Sequence, residues 1–281
     1  MNKNKLLRKT STIGTIILII LMLGGCEDVI QVDLNSADPR IVIEAYILDN
    51  PGISAVIISN STDYYNPSEF ALVSAELVTI SDNFGNIDTL FRIESGLYIS
   101  YSVELIVNRS YTATVIVDGI TYTASAMMPV PIAIDSISTE YQEGGGFGSF
   151  EEEGYRLHVY FTDLENIDDY CRLKITQNDT LLEDYYLYDG KFSDGNPIDY
   201  EYFFEVFQVD DILIIDLYTM DYVVFDYFET LLNVIASSDG GESNAVPANP
   251  NTNWDNDALG YFGVFAVRSD TIIVEEDNTS P

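Results

Sequence analysis

Cys26 stands where its chemistry is easiest to name. It follows Leu23-Gly24-Gly25 and closes an apolar run from Ile13 to Leu23 that is preceded by Lys3, Lys5, Arg8 and Lys9. A basic start, an apolar centre and small residues before a cysteine make the pattern of a bacterial lipoprotein signal. In that chemistry residues 1–25 are cut away as a signal peptide. The thiol carries diacylglycerol through a thioether, and the freed amine takes a further fatty acid such as palmitate. The apolar run has 11 residues, whereas a membrane-spanning helix needs roughly 20. Lipidation of Cys26 is therefore the expectation, and a permanent transmembrane helix is not. Two or more acyl chains make attachment to a bilayer stable.

The other reactive side chains do not assemble into a catalytic set. The single histidine, His158, lies in Arg156-Leu157-His158-Val159-Tyr160, where alternation places it beside Arg156 and Tyr160 on one face of a strand. Cys171 alternates with charged neighbours in Tyr170-Cys171-Arg172-Leu173-Lys174-Ile175 and is expected as a buried small hydrophobe, without a disulfide partner once Cys26 is acylated. Gly241-Glu242-Ser243-Asn244-Ala245 has the letters of a hydrolase elbow, but it sits in a polar loop after a helix. That elbow requires a strand before it and a helix after it. Paired carboxylates could hydrolyse a glycosidic bond if two of them faced each other in a cleft. With 46 Asp and Glu in the chain, adjacent acids also arise by chance.

The acid-rich stretches Asp163-Leu164-Glu165-Asn166-Ile167-Asp168-Asp169 and Asp255-Asn256-Asp257 offer oxygen ligands to Ca²⁺, yet neither has the spacing of a helix-loop-helix calcium site. No glycine-rich phosphate cradle and no histidine-cysteine cluster is present. No catalytic residue, resident metal or cofactor is expected.

Binding suits the inventory better. Tyr185, Tyr186 and Tyr188, followed by Tyr200 and Tyr202, bring aromatic rings that can stack on a sugar, anchor an interface or simply pack across strands. The segment from Pro247 to Trp254 carries Asn249, Pro250 and the one tryptophan of the chain. Its prolines stiffen it, so it would lose little entropy as a ligand or partner surface, or it could serve as a lid over a sheet. Removing residues 1–25 leaves 8 basic residues against 46 acidic ones, a net charge near −38. Such a surface repels nucleic acid.

The elements that must position these residues are mostly strands. Residues 26–39 form an acidic polar tether. From 40 to 128, short runs rich in β-branched and aromatic residues recur between turn sequences such as Asp49-Asn50-Pro51-Gly52 and Glu94-Ser95-Gly96. That rhythm predicts an immunoglobulin- or fibronectin-like β-sandwich of about seven strands, at Ile41–Leu48, Ser54–Ser59, Ala75–Ser81, Ile87–Arg92, Leu97–Tyr101, Tyr111–Val117 and Ile120–Met127. Asp118-Gly119 between Val115-Ile116-Val117 and Ile120-Thr121-Tyr122 predicts a two-residue hairpin of type I′.

Met127-Met128-Pro129-Val130-Pro131 interrupts the pattern, and a domain boundary is placed there. Residues 129–281 are read as a second β-rich domain. Its strands are expected at Ile134–Tyr141, Tyr155–Thr162, Tyr170–Gln177, Thr180–Tyr188, Tyr200–Phe207 and Asp211–Thr219, with a last pair at Gly260–Val267 and Thr271–Glu275. Val224, Phe228, Leu231, Leu232 and Ile235 recur at helical steps and predict one amphipathic helix near 222–236.

The acidic lead after Cys26, the Asp118-Gly119-Ile120-Thr121-Tyr122-Thr123-Ala124 hairpin and Pro129-Val130-Pro131-Ile132-Ala133-Ile134-Asp135-Ser136 together resemble the Bacteroidota lipoproteins known as domain of unknown function 4249. Pro247-Ala248-Asn249-Pro250-Asn251-Thr252-Asn253 and Ala258-Leu259-Gly260-Tyr261-Phe262-Gly263 extend the resemblance over nearly all of the mature chain. It implies an outer-membrane lipoprotein, facing the periplasm or the cell surface, often encoded beside TonB-dependent transporters. The resulting expectation is a non-catalytic, lipid-anchored accessory or ligand-binding partner of an envelope complex. Alternatives from other classes are a cell-surface glycan-processing enzyme using a carboxylate pair, and a structural adhesion module.

Overall fold

The computed structural model describes residues 39–62, 71–144, 153–183, 186–238 and 249–276. The expected signal peptide, nearly all of the expected tether and the Gly241–Ala245 segment lie outside them. Among the described residues there are sixteen strands and one α-helix. The strands are β1 (Ile41–Leu48), β2 (Ile53–Asn60), β3 (Leu77–Asp82), β4 (Ile87–Thr89), β5 (Phe91–Glu94), β6 (Leu97–Ser100), β7 (Ser110–Val117) and β8 (Ile120–Met127). They continue with β9 (Ile134–Gln142), β10 (Gly154–Thr162), β11 (Tyr170–Gln177), β12 (Thr180–Leu181), β13 (Tyr186–Asp189), β14 (Pro197–Glu201) and β15 (Ile212–Met220). The helix α1 (Tyr222–Ser238) then precedes β16 (Leu259–Ile273).

Period-two burial explains most of these elements. In β7, Tyr111, Ala113, Val115 and Val117 point inward and Thr112, Thr114 and Ile116 lie on the other face. The turn to β8 has Asp118 at φ 50° and Gly119 at φ 73°, the pair of positive values that a type I′ hairpin requires. The helix starts where Asp221 caps it: Val224 N donates to Asp221 Oδ1 at 3.2 Å. The other carboxylate oxygen accepts from Met127 N at 2.7 Å and ties the helix start to the end of β8. No helix among the described residues is long and apolar enough to cross a membrane.

Three sheets result. The largest runs β12-β11-β15-β16-β1-β2-β6-β5, with β13 also paired to β11. A four-stranded sheet, β4-β3-β7-β8, and a three-stranded sheet, β14-β10-β9, complete the fold. The chain is mainly β with one helix, as its composition and alternation predict.

The expected boundary at residue 128 does not separate the hydrogen bonding. β16, near the end of the chain, pairs in parallel with β1 from Val42↔Leu259 to Leu48↔Phe265. Residues 38–281 form one compact unit. Two cores exist, but they are assembled across the sequence. One joins Ile43, Ile47, Val56, Ile80 and Val115 from the first half to Phe262 and Val264 of β16. The other joins Leu157, Phe161, Cys171, Leu173, Ile215, Tyr202 and Phe207.

Four elements depart from the sequence pattern. The expected pair Gly260–Val267 and Thr271–Glu275 is one strand of 15 residues. It does not turn because its first half pairs with β1 and its second half pairs antiparallel with β15, from Thr219↔Ala266 to Ile212↔Ile273. Ile87–Arg92 splits into β4 and β5, which belong to different sheets, with buried Leu90 between them. Thr180–Tyr188 yields β12 and β13, which pair with opposite ends of β11. The strand expected at Tyr200–Phe207 is instead Pro197–Glu201, in register with β10, and Phe207 keeps only a bridge to Tyr155.

Candidate functional site

Alternation in β11 sends Cys171, Leu173 and Ile175 into the core and leaves Arg172 and Lys174 on the opposite face. The register then matters. Arg172 lies opposite Tyr218 of β15, and Lys174 lies opposite Asp216. Further along the same sheet stand Tyr261 and Phe265 of β16 and Tyr46 and Leu48 of β1, and α1 adds Phe228 as a wall. These eight apolar, aromatic and basic side chains line a groove of about 180 Å³. Gly263 lets the wall approach: a Cβ there would lie 3.3 Å from Val224 of α1 and collide with the Phe265 ring.

Both cations rest on rings. The Arg172 guanidinium lies 4.8 Å from the centre of Phe228, and the Lys174 ammonium lies 4.3 Å from the centre of Tyr218. The rings support one another, with Tyr218 edge-on to Phe265 at 5.8 Å and Phe228 against Tyr261 at 5.1 Å. The groove also holds acids: Asp216 of β15 lies opposite Lys174, and Glu44 of β1 lies opposite Tyr261.

Burial is felt by Lys174 and by the three phenols of the groove. It lowers Lys174 to about 8, aided by Arg172 and opposed by Asp216. It pushes the Tyr218 phenol up to about 12, with Asp216 adding to the effect, and it raises Tyr261 and Tyr46, each further lifted by Glu44. The phenols therefore keep their protons and act as donors at neutral pH. Flat apolar faces, hydroxyl donors and two cations can hold a ligand and orient it.

The second half of the chain also contains two facing acids, Asp163 and Asp169, which are 2% and 3% exposed. Asp163 accepts from Gly195 N at 2.8 Å and from the Tyr188 hydroxyl at 3.0 Å, and Asp169 accepts from Leu164 N at 2.8 Å. Gly190 closes over them, since a Cβ there would collide with Asp169 Oδ1 and lie 2.5 Å from Asp163 Oδ2. The pair binds two loops together in the interior. Desolvation pushes Asp169 up to about 6, against the Leu164 hydrogen bond and with the Asp163 charge.

A carboxyl raised in the folded state holds a proton that the unfolded chain has already lost between about pH 4 and 6. Stability is therefore greatest below that window, declines as pH rises through it, and carries the full cost above it. Asp169→Asn keeps an acceptor for Leu164 N and cannot ionise. It is expected to raise Tm by about 2–6 °C at pH 7.5 and by little at pH 4. Thermal melts at the two pH values check this, and an equal shift at both would contradict it.

His158 places Nδ1 2.9 Å from Asp199 and Nε2 3.7 Å from Glu140 on the outer face of the three-stranded sheet. Its neighbours are thus carboxylates and the stacked ring of Tyr160. Among the described residues no group of three or more His, Cys, Asp or Glu side chains converges as a metal site. Cys171 is buried and its thiol is held well above the usual range by desolvation.

The residues expected at a binding surface are dispersed. Tyr185 lies outside the described residues. Tyr186 is buried against Tyr202, with ring centres 5.0 Å apart. Tyr188 packs edge-on to Phe161 at 5.1 Å and commits its hydroxyl to Asp163. Asn249 is exposed and Pro250 half-buried at the start of a strap. Asn251 pins that strap to α1 through Asp226 at 2.8 Å. Trp254 is 5% exposed and its indole donates to Ile43 O at 2.9 Å, so it is an internal strut and presents no surface.

Arg172, Lys174, Tyr218, Tyr261 and Tyr46 were not singled out by the sequence. Alternation does put Arg172 and Lys174 on one face, and eight bases in residues 26–281 are few enough to attract notice. A further surface lies at β4 and β5, edge strands of their sheets, where Ile87, Phe91 and Ile93 are 71%, 69% and 58% exposed.

A family model described as Domain of unknown function (DUF4249) matches residues 27–271. No curated protein matches the chain.

Proposed function

Because the chain belongs to the family described as Domain of unknown function (DUF4249), a description that assigns no activity, we propose its function from its own residues. The protein is a non-catalytic lipoprotein, held at the outer membrane by acylated Cys26, that binds a small ligand as an accessory subunit of an envelope complex. The observation that carries this reading is the groove between β11, β15, β16, β1 and α1, whose lining offers ring faces, phenol donors and two cations. Those groups grip a ligand. The partner that the family resemblance favours is a barrel of the TonB-dependent type. The exposed apolar edge formed by Ile87, Phe91 and Ile93 supports docking to another protein, since bare edges carrying apolar side chains invite pairing.

Two measurements test the proposal. Mass spectrometry of Cys26 is expected to find it acylated, and Cys26→Ser is expected to leave the pelleted membrane fraction for the soluble one. Affinity purification from detergent-solubilised membranes is expected to recover a barrel protein, and Phe91→Lys is expected to reduce that recovery several-fold. Recovery of the protein alone would sink the accessory role, and an unmodified Cys26 would sink the anchor.

A further inference from the structure

We infer that the pocket between the end of β8, the start of β11 and the junction of β15 with α1 takes a primary ammonium carried on an apolar body. This goes beyond the reading above and does not depend on it, because the pocket shares no lining residue with the groove. It encloses about 320 Å³. A space of about 150 Å³ holds a benzene ring, so there is room for a ring-sized body and a charged head.

The register of two strands brings the acids of this pocket together. The β11–β15 ladder ends at Tyr170↔Met220, and Asp169 and Asp221 are the next residue on each strand. Both line the pocket, and the exposed Asp168 joins them. Pro129, Val130, Leu164 and Met220 supply an apolar wall. Tyr170, 8% exposed, and Tyr222, 56% exposed, stand with ring centres 5.5 Å apart, one sunk and one open to solvent.

No Lys, Arg or His lines the pocket. The charges that raise the Tyr170 phenol, after its burial, are those of Asp189, Asp168 and Asp169, all of one sign. Asp169 is almost fully buried, and its Oδ1 has no hydrogen-bond partner among the described residues. Desolvation raises it to about 6, so it is mostly ionised at pH 7, beside the further negative charge of Asp163. Asp221 accepts from Met127 N and Val224 N, and neither neutral donor cancels its charge. Partly buried carboxylates without a counter-charge are costly. An ammonium brings donors, no acceptor and the opposite charge, and the tyrosine faces add attraction to it. A metal ion fits less well. Ca²⁺ takes about six to eight oxygens, whereas no three acidic side chains converge among the described residues and much of the wall is apolar.

The test is calorimetric titration of the membrane-extracted protein in nonionic detergent, at pH 7 and moderate salt, with benzylamine, benzyl alcohol and benzoate, which share one shape and differ in charge. Benzylamine is expected to bind saturably, about tenfold or more tighter than the alcohol, with benzoate weaker still. Asp169→Asn, whose fold is checked by the thermal melts described above, is expected to weaken the amine about tenfold. Asp168→Asn is expected to weaken it several-fold. Glu275→Gln, which removes an exposed acid outside the pocket, controls for attraction by the acidic surface as a whole and is expected to leave the affinity unchanged.

N-acetyl-lysine amide separates two sources of the same chemistry. Binding comparable to that of benzylamine points to a lysine side chain of another protein, and much weaker binding points to a free amine; both agree with the inference. Benzyl alcohol binding as tightly as benzylamine would overturn it. So would displacement of the amine by Ca²⁺ at matched ionic strength, equal losses from Glu275→Gln and Asp169→Asn, or the absence of saturable binding by every probe. None of these outcomes touches the groove or the anchor, and recovery of a barrel protein and acylation of Cys26 would still stand as evidence for the accessory role.

Discussion

Gly260→Ala is expected to destabilise the fold by about 3 kcal/mol or more, enough to lower Tm by about 6–12 °C or to prevent accumulation of folded protein. Gly260 sits at φ +90° in β16, directly opposite Ile43 of β1. A Cβ there would strike the Ile43 carbonyl oxygen and lie 2.8 Å from its carbon, a backbone contact that no rotamer can relieve. The left-handed conformation alone costs a side-chain-bearing residue about 1 kcal/mol. The remainder comes from parting β1 and β16 where they join the two halves of the chain. Circular dichroism melts check it. A variant that melts within 2 °C of the parent would show that the two strands do not approach as closely as described.

Trp254→Ala is expected to have an effect of the same order, about 3–5 kcal/mol. The indole is buried against Phe262, and its Nε1 donates to the same Ile43 carbonyl that Gly260 allows to lie close. Truncation opens a cavity in the first core and leaves a buried carbonyl with one acceptor site unfilled. Trp254→Phe separates the two contributions. It refills much of the volume, loses only the hydrogen bond, and is expected to cost about 1–2 kcal/mol. Chemical denaturation midpoints with an unchanged slope would give both values. Equal losses for Phe and Ala would show that packing contributes little at this position.

Local patterns made much of this fold legible. Strict alternation marks β7, β8 and β11, the Asp118-Gly119 turn carries its own backbone requirement, and the three- and four-residue steps from Val224 to Ile235 mark α1. What was not legible depends on partners far along the chain. Nothing in Arg268-Ser269-Asp270 reveals that the backbone runs straight there, because its extended course is imposed by β15 on one side. Trp254 in a proline-stiffened polar segment looks like a surface anchor until Ile43, 211 residues earlier, is seen to receive its N–H. The groove is non-local in the same sense. Arg172 and Lys174 share a face by alternation, but Tyr218, Tyr261 and Tyr46 join them only through the registers of three strand pairs.

The parallel pairing of β1 with β16 also bears on how the polypeptide folds. A chain that emerges amino terminus first has β1 available early, whereas residues 259–265, which cover its second edge, come near the end of the described residues. Without them the largest sheet has a gap between β15 and β1, and contacts of such long sequence separation form slowly. Closure of that sheet is therefore expected to be the slow step of refolding.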